Sequence, residues 1–139
     1  MQLDDLYRQV IMDHYMHPRN KGTIEGNALT VELKNPTCGD EITLQMLTED
    51  GLVKDVRFQG TGCSISMASA SMMSEAIKGK PVEEALRISR EFRKLMKGEE
   101  VDPDLLGELE SLAGVSRFPA RIKCATLAWN ALERTTDPA

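Results

Sequence analysis

Leu29-Thr30-Val31-Glu32-Leu33-Lys34-Asn35-Pro36-Thr37-Cys38-Gly39-Asp40-Glu41-Ile42-Thr43-Leu44-Gln45-Met46-Leu47 is the stretch that decides the fold class. Before the Asn-Pro-Thr-Cys-Gly-Asp interruption, Leu29, Val31 and Leu33 alternate with Thr30, Glu32 and Lys34. After it, Ile42, Leu44 and Met46 alternate with Thr43, Gln45 and Leu47. A period of two marks a strand with one buried face. A third run, 52–59, follows the turn signal Glu49-Asp50-Gly51 and sets Val56 and Phe58 on one face. Three such runs in succession predict an antiparallel meander. Cys38 then sits on the loop between the first two strands and Cys63 just after the third, so both lie near one end of the sheet.

Helical spacing brackets the meander. Upstream, Leu3, Leu6, Tyr7, Val10, Ile11 and His14 recur at helix period, and His17-Pro18-Arg19-Asn20-Lys21-Gly22 ends the helix. His14 and His17 stand one turn apart, yet they read as packing and capping residues rather than metal ligands; the helix itself also suits docking to a partner. Downstream, 64–78 carries an apolar stripe of Ile65, Ala68, Met72, Met73 and Ala76, the methionines serving as core fillers. Gly79-Lys80-Pro81 breaks the chain before a helix whose buried face is Val82, Ala85, Leu86, Ser89, Phe92 and Met96. Asp102-Pro103 caps a short helix expected over 104–112, and a last helix runs from 119 to about 134 with Ala125, Ala128, Trp129 and Leu132 available for packing. The terminal residues 135–139 are expected to fray. The fold class is α+β, a three-stranded antiparallel sheet packed against several helices.

With 139 residues the chain fits one domain, 1–139, large enough to bury a core without disulfide help. A net charge of −5 disfavours a general nucleic-acid surface, because phosphate binding normally leaves a basic excess. The sequence shows no basic-plus-apolar leader and no apolar run of membrane-spanning length, so no membrane partner and a cytoplasmic location are expected. Its three cysteines cannot all pair within one chain, and a structural disulfide is not expected.

Each thiol has a neighbour that favours its ionised form. Cys38 and Asp40 flank a glycine, which lets the backbone aim a soft sulfur and a hard oxygen at one point. Cys63 follows Gly60-Thr61-Gly62 and opens a helical run, where backbone N–H groups favour an anion. If Pro119 opens the last helix, Cys124 falls in its second turn with Arg121 one turn earlier on the same face. Three thiols and a carboxylate equal the ligand count of a tetrahedral zinc site. Residue types alone leave two readings open: a shared metal or reactive-thiol site, or three unrelated buried cysteines.

The sequence resembles the U-type iron–sulfur cluster assembly proteins (IscU, SufU and the N-terminal domain of NifU). The resemblance is carried by Asn35-Pro36-Thr37-Cys38-Gly39-Asp40, Gly60-Thr61-Gly62-Cys63-Ser64-Ile65-Ser66, Ala68-Ser69-Ala70-Ser71-Met72-Met73 and Phe118-Pro119-Ala120-Arg121-Ile122-Lys123-Cys124-Ala125. Within the family it is most similar to the SufU type. Lys123 stands where the IscU type has a histidine, and the stretch at about 98–116 resembles the segment that the SufU type inserts before its last cysteine.

The resemblance implies a SufE/IscU-like α+β domain in which Cys38, Asp40, Cys63 and Cys124 converge on zinc. It further implies sulfur transfer: Cys38 accepts persulfide sulfur from a pyridoxal-phosphate-dependent cysteine desulfurase of the SufS kind, a partner histidine exchanging with Cys38 at the metal. Arg121 would support the thiolate or the docked complex, and the sulfur would pass to downstream Suf cluster-assembly proteins. Two alternatives carry the same residues. In one, they hold a nascent [2Fe–2S] cluster on a scaffold, since thiolates suit iron–sulfur clusters as well as zinc. In the other, the protein is a zinc-stabilised activator of the desulfurase that carries no sulfur.

Overall fold

The computed structural model describes the backbone of residues 3–36 and 39–136 and the side chains of residues 7–36 and 39–136. The expected meander is present. Strands β1 (Leu29–Asn35), β2 (Asp40–Glu49) and β3 (Leu52–Thr61) form one antiparallel sheet in the order β1-β2-β3. In its register Val31 faces Leu44 and Leu44 faces Phe58. Alternation has the predicted result, with Ile42, Leu44, Met46, Val56 and Phe58 buried on one face. Asp50 and Gly51 both have positive φ, 54° and 77°, as a tight two-residue hairpin with the strands' own twist requires. At the opposite end Asn35 pairs with Asp40 and Glu41 with Thr61, which brings the start of β2 beside the end of β3.

Helix α1 (Leu3–Met16) precedes the sheet; α2 (Ser64–Ile77) and α3 (Val82–Met96) follow it. In α2 the structure departs from the expected stripe. Every residue from Ser66 to Ser74 is buried, because the helix runs inside a ring formed by the sheet, α1, α3 and the C-terminal helix α5 (Pro119–Thr136). Alanine and serine make this possible: small side chains let the surrounding elements approach, and a buried hydroxyl is costly without a partner, which Ser69, Ser71 and Ser74 have and Ser66 lacks among the described residues. Ser69 Oγ donates to the Ala125 carbonyl at 2.6 Å and accepts from Trp129 Nε1 at 3.2 Å. Ser71 Oγ lies 2.8 Å from His14 Nδ1 and accepts the Arg19 backbone N–H at 2.9 Å. Ser74 Oγ accepts from Asn20 Nδ2 at 3.0 Å. Hydroxyls on one helix thus fasten α5, α1 and the turn after α1.

His14 takes the packing role expected of it. It is 1% exposed, and its Nε2 lies 3.3 Å from Glu108 Oε2. His17 is exposed, its N–H bonded to the Asp13 carbonyl at the helix end. Met72 and Met73 are core residues, also as expected. Phe92 of α3 stacks on Trp129 of α5, ring centroids 4.8 Å apart, and Ile88 and Leu95 join the buried face read from the sequence.

The helix expected over 104–112 is corrected. Helix α4 spans only Pro103–Leu106, capped by Asp102 accepting the Asp104 N–H, and a 3-10 helix continues from Gly107 to Arg117. Gly107, at φ 53°, breaks the α-helical path after one turn. Leu106, Leu109, Leu112 and Val115 are all buried, at a strict spacing of three, which aligns them along one side of a helix with three residues per turn. No helix among the described residues is long and apolar enough to cross a membrane.

Ser69→Ala removes the acceptor of a fully buried indole N–H and the donor to a helix carbonyl. We expect a loss of about 1–3 kcal/mol in urea unfolding with an unchanged m-value. A loss under about 0.5 kcal/mol, the range of an ordinary surface substitution, would show that Trp129 is satisfied elsewhere.

Candidate metal centre

Three elements end at one corner of the molecule. Asp40 is the first residue of β2 and 1% exposed, Cys63 is the N-cap of α2 directly after β3, and Cys124 lies in the second turn of α5, also 1% exposed. Each position follows from local sequence. The β1–β2 turn delivers Asp40, the Gly60-Thr61-Gly62 exit from β3 delivers Cys63, and Pro119 starts the helix that carries Cys124.

One ligand atom from each of Asp40, Cys63 and Cys124 can be chosen so that all lie within 4.8 Å of one another. Among the described residues this is the one group of three or more His, Cys, Asp or Glu arranged so. The Cys63 backbone N–H donates to Asp40 Oδ1 at 3.0 Å, and the Cys63 thiol approaches Asp40 Oδ2 at 4.0 Å. Cys124 Sγ lies 3.8 Å from the Ala120 carbonyl. Two sulfurs and one carboxylate oxygen suit a borderline-soft ion such as zinc, bound at about 2.3 Å by sulfur and about 2.0–2.2 Å by oxygen. The donor set fits such an ion. Cys38, expected as a further ligand and as the acceptor, lies outside the described residues.

Arg121 is where its spacing from Cys124 led us to look, and it serves more than that one thiol. Its guanidinium is exposed, and its pKa is raised above the ordinary range by the charge and hydrogen bonding of Cys63 and then by Cys124. The link to Cys63 was not legible from helical spacing, because it depends on α2 and α5 meeting at their N-terminal ends. Lys123 is exposed.

From this corner an open groove of about 860 Å³ runs between α1 and the 3-10 helix. Its lining includes Ile11 of α1, Cys63, Val115 and Arg117 of the 3-10 helix, Phe118, and Arg121 of α5. Phe118 remains 60% exposed although large and apolar. Sequence reasoning missed this groove; the signal was the aromatic placed directly before a helix-opening proline.

The family model described as NifU-like N terminal domain matches residues 6–125. The chain is 59% identical over 133 residues to the zinc-dependent sulfurtransferase SufU of Bacillus subtilis, covering 95% of this chain and 90% of that protein. It is 47% identical to the iron–sulfur cluster assembly scaffold protein IscU of Streptococcus pyogenes, covering 95% and 83%. Among solved structures, a protein of Fervidobacterium islandicum described as an iron–sulfur cluster assembly scaffold for the SUF system superposes with a TM-score of 0.87 at 39% identity, covering 91% and 93%.

Arg121→Ala removes a cation from beside two thiols. We expect zinc affinity, read by chelator competition, to fall about two- to fivefold at low salt, the scale of an exposed charge pair. The difference should shrink in high salt as screening replaces the lost charge. An undiminished difference at about 1 M salt would assign Arg121 a steric role instead.

Proposed function

The chain belongs to the NifU-like N-terminal domain family, and we propose that within it this protein is a zinc-dependent sulfur carrier for iron–sulfur cluster assembly, accepting persulfide sulfur from a cysteine desulfurase of the SufS kind on Cys38. The observation that supports the reading best is the convergence of Asp40, Cys63 and Cys124, with Arg121 beside both thiols. The stretch at about 98–116 is then the added segment of the SufU type, and downstream Suf assembly proteins receive the sulfur.

Asp40, Cys63 and Cys124 would hold zinc together with Cys38. Bound there, the ion keeps its thiol ligands deprotonated at neutral pH and so supplies a nucleophile that needs no adjacent base. Three thiolates and a carboxylate exceed the charge of a divalent ion by two, and Arg121 offsets part of that excess. In the transfer step the Cys38 thiolate attacks the outer sulfur of the partner's persulfide. A new sulfur–sulfur bond forms on Cys38, the partner's own sulfur–sulfur bond breaks, and the partner's cysteine leaves as a thiolate. The transferred sulfur keeps its proton, and neither an oxidant nor a reductant is consumed.

The scaffold reading draws its support from the relatives named as cluster assembly scaffolds and from a thiolate-rich ligand set that suits iron equally well. The two separate on composition. Anaerobically purified protein should contain about one zinc per chain with negligible iron and acid-labile sulfide; iron and sulfide in matching amounts with little zinc would make the scaffold reading the correct one. Cys38→Ser should retain its fold and lose both sulfur acceptance and stimulation of the desulfurase. Full stimulation by that variant would instead identify an activator that carries no sulfur. Lys123→His should leave zinc as the bound metal, and a stoichiometric cluster in that variant would show that a single side chain selects the cargo.

A further inference from the structure

The two glycines ahead of Cys63 do different work. A Cβ at Gly60 would overlap the backbone carbonyl oxygen of Glu41 on the neighbouring strand, so Gly60 serves the close pairing of β2 and β3. A Cβ at Gly62 would meet no backbone outside its own chain neighbours among its nearest contacts. It would stand 2.6 Å from Asp40 Oδ1, 3.0 Å from its Cγ and 3.2 Å from its Cβ. Gly62 is not one of the positive-φ glycines, so a left-handed backbone is not what calls for glycine there. What excludes a side chain at position 62 is the carboxylate of Asp40.

The next residue completes the arrangement. The Cys63 N–H donates to Asp40 Oδ1 at 3.0 Å, while the Cys63 thiol approaches the other oxygen, Oδ2, at 4.0 Å. One oxygen is therefore turned to the backbone and the other toward the Cys63 thiol. We propose that Gly62 is a positioning residue: its bare Cα and the following amide form a cradle for Asp40 Oδ1, which sets the orientation of the carboxylate and leaves Oδ2 on the side of the Cys63 thiol. The inference rests on the reading of Asp40 as a metal ligand.

This arrangement has a chemical consequence. A carboxylate free to swing binds a cation through one oxygen or both, at some cost in definition of the site. A carboxylate with one oxygen held by an amide offers a single donor in a set place, and outer contacts of this kind typically change metal affinity by about 10–100-fold. An added methyl at position 62 would push Oδ1 away from the Cys63 N–H and carry Oδ2 with it.

The test is a double-mutant cycle on the full chain, with zinc affinity read by chelator competition and ligand geometry read from the d–d absorption of the Co(II)-loaded protein. Gly62→Ala should weaken zinc about 10–100-fold and shift the Co(II) spectrum toward that of Asp40→Ala. In the Asp40→Ala background the same substitution should cost far less, because the carboxylate it displaces is gone and only the Cβ at position 40, 3.2 Å away, remains in contact. Wild-type affinity and spectrum in Gly62→Ala would overturn the proposal. So would an equal loss in both backgrounds, since the effect would then run through the backbone. Should Gly62→Ala lose cooperative unfolding, Gly62→Ala/Asp40→Ala must recover the stability of Asp40→Ala, and failure to do so overturns the proposal as well. Zinc bound by Asp40→Ala as tightly as by wild type is a separate result: it removes Asp40 from the ligand set and takes the inference with it.

Discussion

A helix buried on nearly every side is the constraint on which the rest of this molecule depends. An α-helix can be enclosed that completely only if its side chains are small or apolar and if most of its buried polar atoms find partners nearby. The run Ser66–Ser74 meets the first condition with alanine, serine and methionine. The Ser66 hydroxyl is buried with no hydrogen-bond partner among the described residues, whereas Ser69, Ser71 and Ser74 meet the second by reaching α5, α1 and the turn after α1. Their hydroxyls turn a packing problem into a set of fixed attachments. The sheet, α1, α3 and α5 all bear on this helix, and the residue just before its first is Cys63.

The corner at Cys63 is built on the N-terminal end of that helix. Two of its contributors, Asp40 and Cys124, are buried, Cys63 is half-buried, and Arg121 stands in solvent against the two thiols. Burial raises the cost of charge, and a nearby guanidinium lowers it. A chain whose net charge is −5 thus keeps a cation at the one corner where thiolates have to gather. The groove leading away from the corner carries Arg117 in its lining as well, so positive charge continues past the thiols.

Much of this could be read in advance, for identifiable reasons. Alternation in 29–47 and 52–59 reports a half-buried sheet directly, since a slip of one residue would bury Thr43 and Gln45 in place of Ile42 and Leu44. Arg121 could be placed against Cys124 because both lie on one helix, where spacing is geometry. The failures share a cause: they concern relations between elements. A stripe on 64–78 could be seen, but not that serines would be buried on its other side, because serine is equally at home in water. The spacing of Leu106, Leu109, Leu112 and Val115 is visible in the sequence, yet a 3-10 helix of eleven residues is far longer than the usual short piece, so the same stretch reads as α-helix. The cluster at the corner owed its prediction to family resemblance, because nothing local says that positions 40, 63 and 124 meet.

That separation in sequence has a kinetic side. Asp40 and Cys63 come together once β2 and β3 have paired and α2 has started, all within one short stretch of chain. Cys124 arrives only when α5 docks, through the attachment of Ala125 to Ser69 one residue further on. Closing that longer loop costs more chain entropy than joining neighbouring strands does, and the third ligand is in place only once it is closed. An ion shared by the three would therefore do little to speed folding, since its site is incomplete until the last helix has seated. It would act instead on the way out, as a clasp that holds α5 down and lengthens the lifetime of the closed form.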